Sequence, residues 1–339
     1  MILSINAGST SVKYRLFSSK LALVAGEDFP DTAPSKKLFH QIARLLESQL
    51  KQNRLKIAHR VVHGGPHLRH PMKITPYVVK TIKNHAHLAP LHNPFNLKAI
   101  EFARRYFPNA AHFAVFDTGF FRTLPLVAEL YPIPLSFYKK YGIERYGFHG
   151  IAHAYCAEIA KQKLKLTRPN LITLHLGGGS SITAVKRARA IDTSMGYSPL
   201  EGLMMWSRAG DIDPGVLVSS TPKNFGAKFW NNVLNYESGL KGISGCRDYL
   251  DLLHKRALGH HTAKLAFDMF VYRIQKYIGA YYAALNGSVD AIVFSGKIGA
   301  GDAITRRAVC DGLPFLKNVA KLVVEPNEEW MMAKLVQKL

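Results

Sequence analysis

The sequence predicts an α/β protein built from a duplicated unit. Its 339 residues suffice for two domains at roughly 150 residues each. Short apolar or alternating runs interleave with amphipathic helical patterns along the whole chain. Two small-residue turns, Ala7-Gly8-Ser9-Thr10 and Gly178-Gly179-Ser180-Ser181, each join two such runs and lie half a chain apart. With 47% hydrophobic and 20% charged residues, the composition is globular and excludes disorder as the dominant state.

Residues 2–6 and 12–17 read as strands around the first turn, making an N-terminal hairpin. Residues 36–53 read as a helix with Leu38, Ile42, Leu45, Leu46 and Leu50 on one face. A buried strand over 57–63 ends at Gly64-Gly65. Helices follow over 76–88 and 94–106, the second entered through Asn93-Pro94. Residues 111–116 form a strand that ends in Asp117-Thr118-Gly119. A proline-rich connection with Pro125, Pro132 and Pro134 leads to a helix over 151–163. A strand over 171–176, the second turn and a strand from Ile182 make the second hairpin. A long helix over 262–285, a strand over 289–294 and a closing helix over 327–338 complete the chain.

Lys+Arg 45 against Asp+Glu 23 gives a net charge of +22. The basic residues are spread along the chain rather than gathered in a tail or stripe. They read as a solvated surface, and no specific nucleic-acid partner is expected. No apolar run approaches the roughly 18 residues that span a bilayer. The start has no basic region followed by a long apolar stretch, so a soluble, cytoplasmic protein without a membrane partner is expected. Cys156, Cys246 and Cys310 are far apart and form no CxxC pair, which excludes a disulfide framework or cysteine zinc site. His59, His63 and His67 have helical spacing, but Gly64-Gly65-Pro66 breaks any helix there, which argues against zinc.

The turns carry the chemistry. Asn6, Ser9, Ser11 and Lys13 surround the first, whose small residues let a phosphate approach the backbone. It lacks the GxxxxGK[ST] pattern of a Walker A loop, and alone it reads as an ordinary turn. Paired with the second turn, it reads as half of a phosphate-binding cleft.

Ordered blocks then resemble the acetokinase family of the sugar kinase/Hsp70/actin superfamily. They are Asn6-Ala7-Gly8-Ser9-Thr10-Ser11-Val12-Lys13-Tyr14, His59-Arg60-Val61-Val62-His63-Gly64-Gly65, Leu88-Ala89-Pro90-Leu91-His92-Asn93-Pro94 and Val115-Phe116-Asp117-Thr118. Arg145-Tyr146-Gly147-Phe148-His149-Gly150, Asp192-Thr193-Ser194-Met195-Gly196 and Gly210-Asp211-Ile212-Asp213-Pro214 follow in family order. The resemblance implies duplicated ribonuclease-H-like (actin-like ATPase) domains with a central cleft that closes to exclude water. The first would span 1–118 plus 327–339, the second 119–326. It also implies phosphoryl transfer between ATP and acetate, with Mg²⁺ (or Mn²⁺), by a homodimer.

Residue by residue, the resemblance gives Arg60 the acetate carboxylate. Arg208 and His149 would stabilise the phosphoryl oxygens with support from His92, and Asp117 matches the catalytic aspartate. Asn6 and Glu328 match the metal-organising positions, with adjacent Glu329 an open alternative. Val62, Leu91, Phe148 and Pro199 match the acyl pocket, which favours acetate or propionate and gives no hint of a butyrate-sized site. On the donor side stand Lys13, Ser9, Ser11, His175, Leu176, Gly177, Gly178, Gly179, Arg247, Gly296, Lys297, Ile298, Gly299 and Ala300.

The departures cluster on the nucleotide side. His175-Leu176-Gly177-Gly178-Gly179 lacks the Asn of the family turn. Gly296-Lys297-Ile298-Gly299-Ala300-Gly301 has Lys for Gly and lacks the Glu and Asn. The stretch around Ser244-Gly245-Cys246-Arg247-Asp248 is shortened, and Trp206 replaces a Gly. Three expectations follow: an ATP-dependent acetate kinase, a pyrophosphate-dependent one, or a catalytically weak relative with a binding role.

Overall fold

A computed structural model describes every residue except Thr10, 51–54 and 219–224. Thr10 of the first turn and residues 51–53 of the helix expected over 36–53 therefore lie outside the described residues. The chain divides into two compact units. Unit 1 holds 1–122, 149–155 and 327–339, and unit 2 holds 123–148 and 156–326.

Unit 1 is built on β1 (Ile2–Ala7), β2 (Ser11–Phe17), β3 (Leu23–Pro30), β4 (Lys56–Val61), β5 (Met72–Lys73) and β6 (Ala111–Phe116) in the order β3-β2-β1-β4-β6-β5. The first three strands form an antiparallel meander, and β1, β4 and β6 run parallel. Strand alternation sends Leu3, Ile5 and Ile57 to one face and Ile2, Ser4 and Ala58 to the other. Helices Lys36–Leu50 and Asn93–Tyr106 cover the first face through Leu38, Phe39, Ile42, Leu46, Ala99 and Ala103. Helix Glu328–Gln337 covers the second through Met331, Met332 and Val336, joined by Ile151 and Ala154. Each fully buried Leu, Ile or Phe contributes roughly 1.5–3 kcal/mol.

Unit 2 repeats this plan. Its sheet holds β7 (Leu171–Leu176), β8 (Ser180–Lys186), β9 (Arg189–Thr193), β10 (Ala291–Ser295) and β11 (Ala320–Val323), ordered β11-β10-β7-β8-β9. Again three strands meander and three run parallel. Helix His261–Ala284 lies on this sheet with Ala263, Phe267, Phe270, Ile274, Ile278 and Tyr281 at helical spacing.

The structure departs from the sequence reading in places. The third meander strands, β3 and β9, were not expected. β3 is an edge strand with mostly exposed residues, and its sequence carries little apolar alternation. Leu45 is 46% exposed, because Phe39 rather than Leu45 completes the buried stripe of its helix. Leu126–Glu129 and Leu135–Tyr141 form short helices within the proline-rich connection, each with a proline just before its first residue. Segment 149–155, placed in the second domain by sequence, packs with unit 1. The Gly150 amide donates to the Asp117 carbonyl at 2.8 Å, and Ile151 joins the core beneath Val115.

Candidate active site

In unit 1, three strand ends and one helix start bring the charged residues together. Arg60 on β4 reaches Asp117, just past β6. Its Nη2 donates to Asp117 Oδ2 at 2.7 Å and its Nε to both carboxylate oxygens at 3.1 and 3.2 Å. Its Nη1 donates to Asn6 Oδ1 at 3.1 Å. Asn6 turns its amide nitrogen to both candidate metal-organising carboxylates, Glu328 Oε2 at 3.1 Å and Glu329 Oε1 at 2.9 Å. Both glutamates, which the sequence left as alternatives, therefore belong to the constellation. Ser4 Oγ donates to the Glu329 carbonyl at 2.7 Å, which ties the helix start to β1.

Burial alone would lower the Arg60 pKa. Asp117, with Glu328 and Glu329 behind it, outweighs that and holds the guanidinium charged. Burial pushes the Asp117 carboxyl upward against the pull of Arg60. A guanidinium carries five N–H groups, and these contacts leave one on each Nη. These two donors are the ones a second carboxylate would use.

His149 stands at φ +58°, immediately before helix Gly150–Leu164. A left-handed histidine is held only where neighbours fix it. Here Gly150 does so: a Cβ at that position would collide with the Asp117 carbonyl. His92 lies at the start of helix Asn93–Tyr106. Beside it are two buried asparagines that sequence reasoning did not single out. Asn96 accepts from the Val62 amide at 3.1 Å and donates to the Ala7 carbonyl at 2.7 Å. Asn93 accepts from the His63 amide at 3.1 Å and donates to the His63 carbonyl at 2.8 Å. They clamp the ends of β1 and β4, where Val62 lies buried, to the helix that follows Leu91. Asn93 sits in a quoted block but reads there as helix entry, which hid this role. Lys13 lies opposite Asp28 across β2 and β3 and pairs with it at 3.3 Å, so its charge is directed along a strand absent from the sequence reading. Ser9 and Ser11 flank the first turn, which the Gly8 amide closes on the Ser11 carbonyl at 2.8 Å.

In unit 2, Arg208 donates to the Pro199 carbonyl at 3.2 Å and approaches Met205 Sδ at 3.8 Å. Among the described residues it pairs with no carboxylate. Burial lowers its pKa, with Tyr236 opposing. Its partners are a carbonyl and a sulfur, which leave the charge of this partly buried cation without a counter-ion among the described residues. Phe148 is fully buried, and Pro199 is half-buried on the loop that holds Arg208. The second glycine turn connects β7, which ends in His175 and Leu176, to β8. A Cβ on Gly178 would meet nothing within 4 Å. The Gly178 carbonyl accepts from the Trp206 amide at 3.2 Å, which brings the Gly-to-Trp departure against this turn. Helix Gly296–Gly301 packs on the end of β7. A Cβ on Gly296 would strike the Leu176 carbonyl, and Gly299 lies over the Leu176 side chain. Ile298 and Ala300 are buried and Lys297 is exposed. Arg247 lies just before helix Tyr249–Ala257; its side chain is 85% exposed and comes within 3.9 Å of Asp251 on that helix.

The chain matches the acetokinase family over residues 22–324. The chain belongs to this family. An acetate kinase of Sulfurovum sp. (strain NBC37-1) is 42% identical, covering 93% of this chain and 86% of that protein. A propionate kinase structure from Francisella tularensis is 33% identical with TM-score 0.91, covering 100% of this chain and 99% of its own. The Porphyromonas gingivalis acetate kinase structure is 32% identical with TM-score 0.87, covering 98% of each chain. Such kinship makes the twice-used sheet the duplicated ribonuclease-H-like, actin-like ATPase fold and the chain a phosphotransferase. Among the described residues no helix is long and apolar enough to cross a membrane.

Proposed function

We propose that this chain is an acetate kinase, moving the terminal phosphoryl group of ATP reversibly onto acetate to give acetyl phosphate and ADP. The observation that carries this reading is the Arg60 constellation. Asp117 and Asn6 fix the guanidinium while one N–H on each Nη remains for a substrate carboxylate. Acetate is ionised at neutral pH, so its oxygen attacks phosphorus without a general base. The bond from phosphorus to the bridging oxygen breaks, and the electron pair leaves with ADP. Arg208, lacking a carboxylate of its own, neutralises charge on the transferring group, and His149 donates to its oxygens. Asp117 orients Arg60 rather than accepting a proton. By the family resemblance, Val62, Leu91, Phe148 and Pro199 are the residues assigned to the acetate methyl.

Glu328 and Glu329 offer the hard oxygen atoms that suit Mg²⁺, an ion commonly held by one or two carboxylates and substrate phosphates, and the Asn6 amide nitrogen orients both carboxylates. When bound, the ion supplies charge neutralisation on the donor phosphates. A homodimer and a cytoplasmic location belong to the same proposal.

Trp206 against the Gly178 carbonyl and exposed Lys297 favour a second reading, in which pyrophosphate replaces ATP. The test is acetyl hydroxamate formation with Mg²⁺ and either ATP or pyrophosphate, with Arg208→Ala as control. ATP-dependent product that vanishes in the variant supports the first reading. Pyrophosphate-only product selects the second. No product with either, and none in reverse from acetyl phosphate, leaves a binding protein.

A further inference from the structure

In unit 2 a polar network lies beside Phe148 and Pro199 along the chain, two of the four residues assigned above to the acyl pocket. Arg145 Nη2 donates to Glu201 Oε1 at 2.7 Å, and the Tyr131 hydroxyl donates to Glu201 Oε2. Tyr131 also accepts from the Tyr197 amide at 2.7 Å, and its ring lies 5.3 Å from the Arg145 guanidinium. Arg145 makes two further bonds, to the carbonyls of Ala128 at 3.1 Å and Thr193 at 3.2 Å. One carboxylate and two carbonyls thus engage all three nitrogens of the arginine, with only 18% of its side chain exposed. A Cβ on Gly196 would strike both Glu201 Oε2 and the Tyr131 hydroxyl, so the network closes only over a glycine.

What the network fixes is the spacing of two chain segments. The amides of Tyr146 and Gly147 both donate to the Gly196 carbonyl, at 3.1 and 3.2 Å. Phe148 is the next residue on one segment. Pro199 lies two residues before Glu201 on the other, and its carbonyl holds Arg208. Phe148 and Pro199 carry apolar side chains, and the bonds to the Gly196 carbonyl and the Arg145–Glu201–Tyr131 network bracket the backbone beside them.

We propose that Arg145, Glu201 and Tyr131 are positioning residues that set acyl-chain selectivity by fixing Phe148 against Pro199. This rests on the acetate kinase reading. A small relaxation of such a wall admits one more methylene, and discrimination per methylene in an apolar pocket is roughly 10–200-fold.

The test uses the full chain, Glu201→Gln and Tyr131→Phe, two substitutions that keep side-chain volume. Steady-state constants are measured by hydroxamate formation with acetate and with propionate, and thermal unfolding is followed in parallel. The acetate KM is expected to rise about five- to tenfold in Glu201→Gln. The acetate-to-propionate ratio of kcat/KM is expected to fall at least fivefold, with the donor KM within twofold of the parent. Tyr131→Phe should move the same quantities in the same direction by less. Unchanged ratios in both variants, whatever their unfolding temperatures, would reduce the network to a structural knot. If the parent chain itself transfers to neither acid, the acetate kinase reading falls and this proposal with it. An active parent with unmoved variants overturns the network's role alone.

Discussion

Two partly buried arginines, one in each unit, solve opposite problems. Arg60 is matched: Asp117 and Asn6 engage three of its nitrogens, and Glu328 and Glu329 add negative potential. Arg208 is unmatched, with a carbonyl and a thioether as its hydrogen-bond partners. The protein therefore builds one cation as a rigid receptor and leaves the other dependent on its ligand. Removing each should separate stability from catalysis. Arg208→Ala is expected to lower phosphoryl transfer by about 10³-fold or more, the range for a transition-state arginine. It should leave the urea midpoint unchanged or raised, because a desolvated cation is removed. Arg60→Ala is expected to abolish transfer as well. It should also cost about 3–5 kcal/mol of unfolding free energy, since Asp117 is left buried and unpaired. Equal losses of stability in the two variants would break the contrast.

The rigidity on the Arg60 side has a second source, in Asn96. Its one amide group holds the Val62 N–H and the Ala7 carbonyl, joining the acceptor strand to the first turn. Asn96→Ala leaves both backbone groups buried without a partner. The expected loss is about 2–4 kcal/mol by chemical denaturation. Asn96→Asp keeps the acceptor and loses the donor, so it should retain the Val62 contact yet not recover parent stability. A wild-type midpoint in Asn96→Ala would show that water replaces both bonds and that the clamp is dispensable.

The two sides also differ in how far sequence reveals them. The hairpins, the long helix and the closing helix were legible because their apolar periods are strong. Arg60 and Asp117, which the structure brings together, were legible because they sit in dense sequence blocks at strand ends. The meander edges β3 and β9 were not, since edge strands carry half-exposed polar residues. Asn93, Asn96 and the Arg145–Glu201–Tyr131 network escaped for a different reason. Their partners are mainly backbone groups or residues tens of positions away, and no local spacing announces them. Glu328 and Glu329 could not be ranked by sequence, because both reach the same Asn6 amide.

Protonation offers a milder way to probe the same strands. His63 is fully buried at the end of β4, and its Nδ1 accepts from the Gly65 amide at 2.9 Å. Burial, with His85 and Arg69 nearby, pushes its pKa down to about 3. His59 and His112, stacked with 3.0 Å between ring nitrogens, are lowered as well, chiefly by burial. Neutral in the folded chain, these rings titrate near 6.5 once unfolded. Their contribution is complete above about pH 6.5 and is lost as pH falls toward the folded pKa. For His63 alone the loss between pH 7.5 and 5.0 is about 2 kcal/mol. His63→Asn, whose Oδ1 replaces the acceptor and does not titrate, should flatten the dependence of unfolding free energy on pH by about that amount. An unchanged slope would place the acid sensitivity elsewhere.

On the donor side the expected effects are smaller, because the departures there are side chains on a backbone that glycines already fix. Gly296 and Gly299 seat their helix on Leu176, so Lys297 can lose its side chain without moving that helix. Lys297→Gly removes bulk and one positive charge beside the second turn. If the lysine excludes a nucleotide and favours a smaller donor, the variant should lower the KM for ATP and raise that for pyrophosphate. Each change should be about tenfold or less, or about 1.4 kcal/mol. Trp206→Gly should act on ATP alone, since it restores space without altering charge. Opposite shifts with the two donors would mean that charge selects the donor. Parallel shifts would mean that only room does. No shift with either would make Lys297 one more cation on a basic surface, leaving the acceptor constellation in unit 1 as the part of the chain that defines its chemistry.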